Sequence, residues 1–379
     1  MSIAHTVAAK LAAAKDIPAS VVGFDGFIDE IIAVVDRRRD MTPGGYEPIR
    51  TIADFAARVG AAAGKSSNLE LVVKEERWGG NGPLMAGALA SLGSGVTFIG
   101  AVGRQDSPRE LDSRYGEFAA RCRKTIPIAP PAHTDALEFA DGKIMLGKPA
   151  NVQVPTWDVL MSVVGKDALT RQIEDARLIG MVNWVMMAGV EGIWEGLIRE
   201  VLPRISKQGR RVFIDLADPA KRTDEDIKRA MGILRRMNAL VPVTLGLNLA
   251  EAERMASVFG AGSLRGSSRS LGAAVEAAAV ELRERLELNG VVVHPREGAG
   301  AAVETTAGVE KAWFHGPFTP TPRLSTGAGD HFNAGFALGQ ILDMSVGECL
   351  AVGCGVSGAY VRDAESPTRE RLVEFLRRL

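Results

Sequence analysis

Short apolar runs rich in β-branched residues recur at positions 20–23, 96–102, 178–188, 211–216, 240–247 and 290–294, with helical spacing between most of them. This alternation is the pattern of βαβ units around a mostly parallel, buried sheet. The helical stretches fall at 83–92, 193–208, 224–237, 249–259 and 270–288, enough to cover both faces of such a sheet. Two regions break the rhythm. Positions 68–77 (NLELVVKEER) and 134–147 (TDALEFADGKIMLG) read as strands with polar residues interspersed, and Asp141-Gly142 predicts a hairpin turn between two of them. They predict a small antiparallel sheet standing off one large α/β domain of residues 1–379, inserted at about 68–78 and 133–148. Proline-rich stretches at 126–133 and 148–155 flank the second insertion, as crossings between layers often do. The segment 260–270 (GAGSLRGSSRS) predicts a surface loop whose Arg265 and Arg269 are either solvated or in reach of phosphate.

Composition narrows the partners. Lys plus Arg number 45 and Asp plus Glu 46, giving a net charge of −1, so the basic excess that nucleic-acid backbones demand is absent. Three cysteines in 379 residues, without metal-ligand spacing, fit neither a disulfide framework nor a zinc site. The alanine-rich N-terminus is interrupted by Lys10, Lys15 and Asp16, and the richest apolar stretches are punctuated by glycine. The expectation is a cytoplasmic globular protein that neither spans nor binds a membrane.

Four segments carry candidate chemistry. In Ser325-Thr326-Gly327-Ala328-Gly329-Asp330 the glycines leave backbone amides open at the start of a helix, where the dipole favours an anion. Asp330, in the first helical turn beside a phosphate held there, is placed to accept a proton from an attacking hydroxyl, or simply to cap the helix. Gly79-Gly80-Asn81 lets backbone approach a polyhydroxy ligand, with an amide able to donate and accept; a plain strand-to-helix turn uses the same letters. Asn248 and Glu251, one helical turn apart, can orient metal-bound water near phosphates or form a capping box. Asp25 and Asp29 follow the first strand, at the strand ends where open α/β sheets bind ligands.

Taken in order, GFDGFID (23–29), GGNG (79–82), FIDLADP (213–219), NLAE (248–251) and STGAGD (325–330) resemble a PfkB-type carbohydrate kinase of the ribokinase-like superfamily, over nearly the whole chain. The resemblance implies a doubly wound central sheet flanked by helices, with a small β-sheet lid. It implies an ATP- and Mg2+-dependent kinase acting on a hydroxyl of a sugar or small polyol. In that scheme Asp330 is the base and Gly327, Ala328 and Gly329 supply the anion hole; Gly79, Gly80, Asn81 and either Asp25 or Asp29 hold the sugar. Asn248, Glu251 and Thr326 lie toward the nucleotide, Glu251 reaching the metal through water, while Arg296, in a segment that departs from the family pattern, either supplies charge to the nucleotide phosphates or is only solvated. A homodimer through the lid is the implied oligomer.

Four departures qualify the resemblance, one of them a helix-like insert at 49–64 without a clear counterpart in the common pattern. Leu324 stands where the family often has aspartate, which puts monovalent-cation activation in doubt. The glycine-pair motif has Leu84 where asparagine is usual, and Val291–His294 with Pro295-Arg296-Glu297 replaces a threonine-glycine nucleotide loop. Two alternatives therefore stand beside the sugar kinase: a kinase for a nucleoside or other small alcohol, with Phe24, Phe27 and Trp78 as stacking candidates, and a catalytically silent binder of sugar or nucleotide.

Overall fold

The computed structural model describes residues 2–206, 208–262, 264 and 270–379, so Arg265 and Arg269 lie outside the described residues. The described residues include fourteen strands: β1 (Ser20–Phe24), β2 (Phe27–Arg38), β3 (Tyr46–Pro48), β4 (Leu71–Gly79), β5 (Val96–Gly100), β6 (Lys124–Pro127), β7 (Ala132–Phe139), β8 (Gly142–Lys148), β9 (Leu178–Val182), β10 (Arg211–Asp215), β11 (Val243–Leu247), β12 (Gly290–Val293), β13 (Gly298–Thr305) and β14 (Gly308–His315). Nine of them form a central sheet in the order β6-β5-β1-β9-β10-β11-β12-β13-β14, parallel up to β12 and antiparallel over the last two. The others form a five-stranded sheet in which β2 pairs with β4, β7 and β3, and β7 with β8.

Strands β1, β5, β9, β11 and β12 are buried throughout, as expected of parallel strands covered on both sides. One face carries the core of Met85, Phe98, Phe332, Phe336 and Leu350, under helices Asn81–Ser91, Ala328–Ile341 and Val346–Asp363. The other packs Trp184, Trp194, Ile214, Met231 and Leu282 beneath helices including Asp224–Asn238 and Leu271–Leu286. No helix among the described residues is long and apolar enough to cross a membrane.

Several elements differ from the sequence pattern for identifiable reasons. The run 178–188 is a strand only to Val182; its hydrophobicity continues because Trp184 and Met187 in the following turn are also fully buried. The stretch 193–208 is helical from Val190 to Gly196, passes through a wider π turn, and ends in a 3-10 turn, Leu202–Arg204, containing Pro203. The hairpin loop between β7 and β8 is Ala140-Asp141, with Gly142 paired to Phe139, one residue earlier than Asp141-Gly142 predicts. Strand β2 enters the small sheet two residues after β1 leaves the central one, so Asp25 and Gly26 are the whole connection. A Cβ at Gly26 would lie 2.0 Å from the Ala101 carbonyl oxygen, so only glycine fits this crossing.

Candidate active site

The C-terminal ends of β1, β9, β10, β11 and β12 converge with the start of helix Ala328–Ile341, and the candidate chemistry gathers there. Gly327 is the N-cap of that helix in the left-handed region, φ 84°, and offers no capping side chain. The Ala328 amide donates to the Ser325 carbonyl (3.2 Å), closing the turn. The amides of Gly327, Gly329 and Asp330 have no acceptor on any other described residue, so they are the donors an anion would meet. Of the residues expected to form an anion hole, Gly327 and Gly329 keep their amides open, whereas the Ala328 amide is engaged in the turn.

Asp330 is 6 % exposed, and its Oδ1 accepts from Asn81 Nδ2 at 2.9 Å. Burial, with the negative charges of Asp215 and Asp25 nearby, holds its carboxyl well above the usual aspartate range, while the Asn81 bond works the other way. Asn81 is in this position because helix Asn81–Ser91 begins two residues earlier than the apolar pattern predicts, after Gly80 at φ 99°.

Asp25 and Asp29 part company. Asp25 is fully buried: Oδ2 accepts from the Asn81 amide (2.9 Å) and Asn183 Nδ2 (2.8 Å), and Oδ1 from the Gly82 amide (2.7 Å). It anchors the helix start, and burial raises its pKa to about 6. Asp29, on β2, is only partly enclosed; burial raises its pKa, opposed by a hydrogen bond with Thr134 and by Lys143 and Arg77. The glycine pair is required by these two carboxylates. A Cβ at Gly79 would stand 2.4 Å from Asp29 Oδ2, and one at Gly80 3.1 Å from Asp25 Oδ2.

Of the two readings of Asn248 and Glu251, the structure displays the capping box. The Asn248 side chain accepts from the Glu251 amide (3.0 Å), and Glu251 Oε2 accepts from the Asn248 amide (2.8 Å), a complete capping box. Glu251 Oε1 also accepts from the Asp218 amide (3.1 Å). Burial and the charge of Asp215 lift Glu251 to about 7. Asp215, at the end of β10, accepts from Asn333 Nδ2 (2.6 Å) and the Ala217 amide (2.8 Å). Close acidic groups with raised pKa values are the electrostatic setting a cation relieves. No cluster of three or more His, Cys, Asp or Glu side chains among the described residues could by itself hold a metal. The side-chain oxygens of Asn248, Glu251 and Asp215 are hard donors of the kind Mg2+ takes, mostly through its waters.

A cavity of about 600 Å3 opens beside the turn, lined by Asn248, His294, Arg296, Phe318, Gly329 and Ser357 among others. The Arg296 guanidinium lies 5.4 Å from the Phe318 ring centre. His294 packs on Phe332 with ring centres 4.6 Å apart and planes tilted by 31°, and burial lowers its pKa to about 4. Thr326 is at the mouth of the turn, with its carbonyl accepting from the Tyr360 hydroxyl (2.7 Å). The site thus brings together Asn81, Asp330, Gly327, Gly329, Asn248, Glu251 and Arg296. Asp215, Asn183 and Asn333 had no role in the sequence reading. Asp215 could have been found in FIDLADP, as a carboxylate ending a buried strand, whereas Asn183 sits in a run that reads as uninterrupted strand.

Comparisons with known proteins cover the same span. A family model described as prokaryotic ketohexokinase matches residues 3–378. A ketohexokinase of Haloferax volcanii is 31% identical over 357 residues, 93% of this chain and 89% of that protein. Among solved structures, Arabidopsis thaliana ribokinase complexed with ribose and ATP aligns at a TM-score of 0.58 and 16% identity, covering 95% of this chain and 99% of the other. A point mutant of phosphofructokinase-2 from Escherichia coli aligns at 0.62 and 14% identity, covering 96% and 99%. These structures share the ribokinase-like fold, with a large helix-flanked sheet and a second, smaller one.

Proposed function

The chain belongs to the prokaryotic ketohexokinase family, and from that premise we propose that it transfers the terminal phosphoryl group of ATP to a hydroxyl of a ketohexose. The observation that carries this reading is Asp330: a buried carboxylate held by Asn81 beside unpaired amides at a helix start, next to a nucleotide-sized cavity.

Asp330 takes the proton of the attacking sugar hydroxyl as the new O–P bond forms and the bond to the departing ADP breaks. Its raised pKa suits it to the task, since a base is most effective when its pKa approaches the working pH. The amides of Gly327, Gly329 and Asp330 face the charge that builds on the transferred group. Asp29 and the backbone around Gly79 and Gly80 hold sugar hydroxyls, and Asn81 links that side to the base. Asn248, Arg296 and Phe318 line the nucleotide side, with Thr326 at its edge. Asn248 and Glu251, with Asp215 behind them, would orient the water shell of Mg2+, which supplies neutralisation of phosphate charge when bound. The small sheet acts as a lid that keeps water from the phosphoryl group.

The nucleoside alternative loses support from packing. Phe24 and Phe27 are buried in the core and cannot stack on a base, which leaves only the half-buried Trp78, tilted against Phe118 at 5.3 Å. The test is a coupled ADP-release assay over ketohexoses, aldoses, polyols and nucleosides, with Asp330→Asn alongside. Transfer to a ketohexose that falls about 10²–10⁴-fold in Asp330→Asn is the expected result. Wild-type turnover in that variant, or no transfer to any acceptor, overturns the proposal.

A further inference from the structure

The turn that would receive the phosphoryl group lacks a cap of its own, because its N-cap is Gly327. Two aromatic side chains outside the cavity lining hold it instead. Tyr360 donates its hydroxyl to the Thr326 carbonyl at 2.7 Å. The carbonyl oxygen of Gly327 accepts twice from His331, from the backbone amide at 3.1 Å and from ring Nδ1 at 2.8 Å. A carbonyl can only accept, so Nδ1 carries the hydrogen, and Nε2 of the neutral ring accepts from the Ser366 hydroxyl at 2.8 Å. The imidazole is fully buried and stacks on the Tyr360 ring with centres 3.6 Å apart and planes at 15°.

In a trans peptide the carbonyl and the next N–H point in opposite directions, so fixing one aims the other. The Tyr360 bond therefore aims the Gly327 amide, and the His331 bond aims the Ala328 amide into its turn with Ser325. The two planes are consecutive: rotation of the first would swing the open Gly327 amide away from an anion, and rotation of the second would break the Ala328–Ser325 turn from which the Gly329 and Asp330 amides follow. Little slack exists, since a Cβ at Gly327 would lie 3.2 Å from the Tyr360 hydroxyl oxygen.

We propose that His331, braced against Tyr360, is a positioning residue for phosphoryl transfer: through Nδ1 it sets the peptide planes of the turn, and through Nε2 it ties that turn to Ser366 near the C-terminus. The inference rests on the kinase reading above and adds to it a residue that touches neither sugar nor nucleotide.

Two variants of the full chain separate the ring's two ends. In His331→Asn the side-chain amide reaches the position of Nδ1 and can still donate to Gly327; in His331→Gln it reaches toward Ser366 and leaves the carbonyl without its side-chain donor. His331→Gln is expected to lose kcat by about 10²-fold, the effect of a small misplacement of a catalytic group, with the KM for sugar unchanged. His331→Asn should retain most of the wild-type kcat, and Tyr360→Phe should lose kcat with the sugar KM again unmoved. Equal kcat values in the Asn and Gln variants, or losses confined to thermal stability, overturn the assignment. Inactivity of the wild-type chain toward every acceptor would instead refute the kinase reading, so the two failures are distinguishable.

Discussion

Asp25 and Asp29 are four positions apart and chemically identical, and the structure gives them different surroundings. Asp25 holds three internal donors, so Asp25→Asn should act chiefly on stability, while Asp29→Asn should raise the sugar KM with a small effect on melting temperature. Because the folded Asp25 binds its proton more tightly than the unfolded chain, with pKa raised from 3.8 to about 6, its contribution to stability falls as pH rises through that window. The stability advantage of wild type over Asp25→Asn should therefore shrink by up to about 3 kcal/mol between pH 4 and 7, read from denaturant melts at each pH. An advantage that grows over that range would contradict the burial argument. Asp330 is the kinetic counterpart. Its protonated form cannot act as a base, so kcat/KM should drop on the acid side along a limb lying above the ordinary carboxylate range. Asn81→Ala removes the bond that favours the charged form and should move that limb to still higher pH. The sequence shows which residues are chemically able, through their positions after strands and before helices. It does not show that GFDGFID turns one aspartate inward, because that depends on amides donated from a helix more than fifty positions away.

Helix Ala328–Ile341 carries the base at one end and is almost wholly buried from Asp330 onward. Its glycines are contact points with helix Val346–Asp363: a Cβ at Gly335 would lie 2.8 Å from the Val352 carbonyl, and one at Gly339 2.9 Å from Cys349 Cα. Gly335→Ala should force the helices apart and destabilise the fold by about 1–3 kcal/mol in urea denaturation, with a drop in kcat because Asp330 travels with the helix. The βαβ rhythm was legible because buried parallel strands are continuous apolar runs. The hairpin β13-β14 was not, since its alanine- and glycine-rich strand resembles a loop until tertiary packing supplies the hydrophobic contacts. Strand β2 escaped notice for a related reason, as Asp29 and Glu30 interrupt its apolar run where it crosses between sheets.

At the scale of the whole molecule the small sheet is the exposed component. Leu71 and Val73 on β4, and Met145 and Leu146 on β8, are each 44% exposed or more, so they are where the homodimer expected from the family resemblance is to be tested. Sedimentation of the wild type against Val73→Glu/Met145→Glu should show a dimer converting to monomer; a wild type that stays monomeric at high concentration would dispose of the idea.

The crossing from β1 to β2 leaves no spare chain. Asp25, which makes up half of it, clasps the amides of Asn81 and Gly82, and Asn81 in turn holds Asp330. Any tilt of the outer sheet would thus tug on both of those amides at once and, through the Asn81 side chain, on the Asp330 carboxylate.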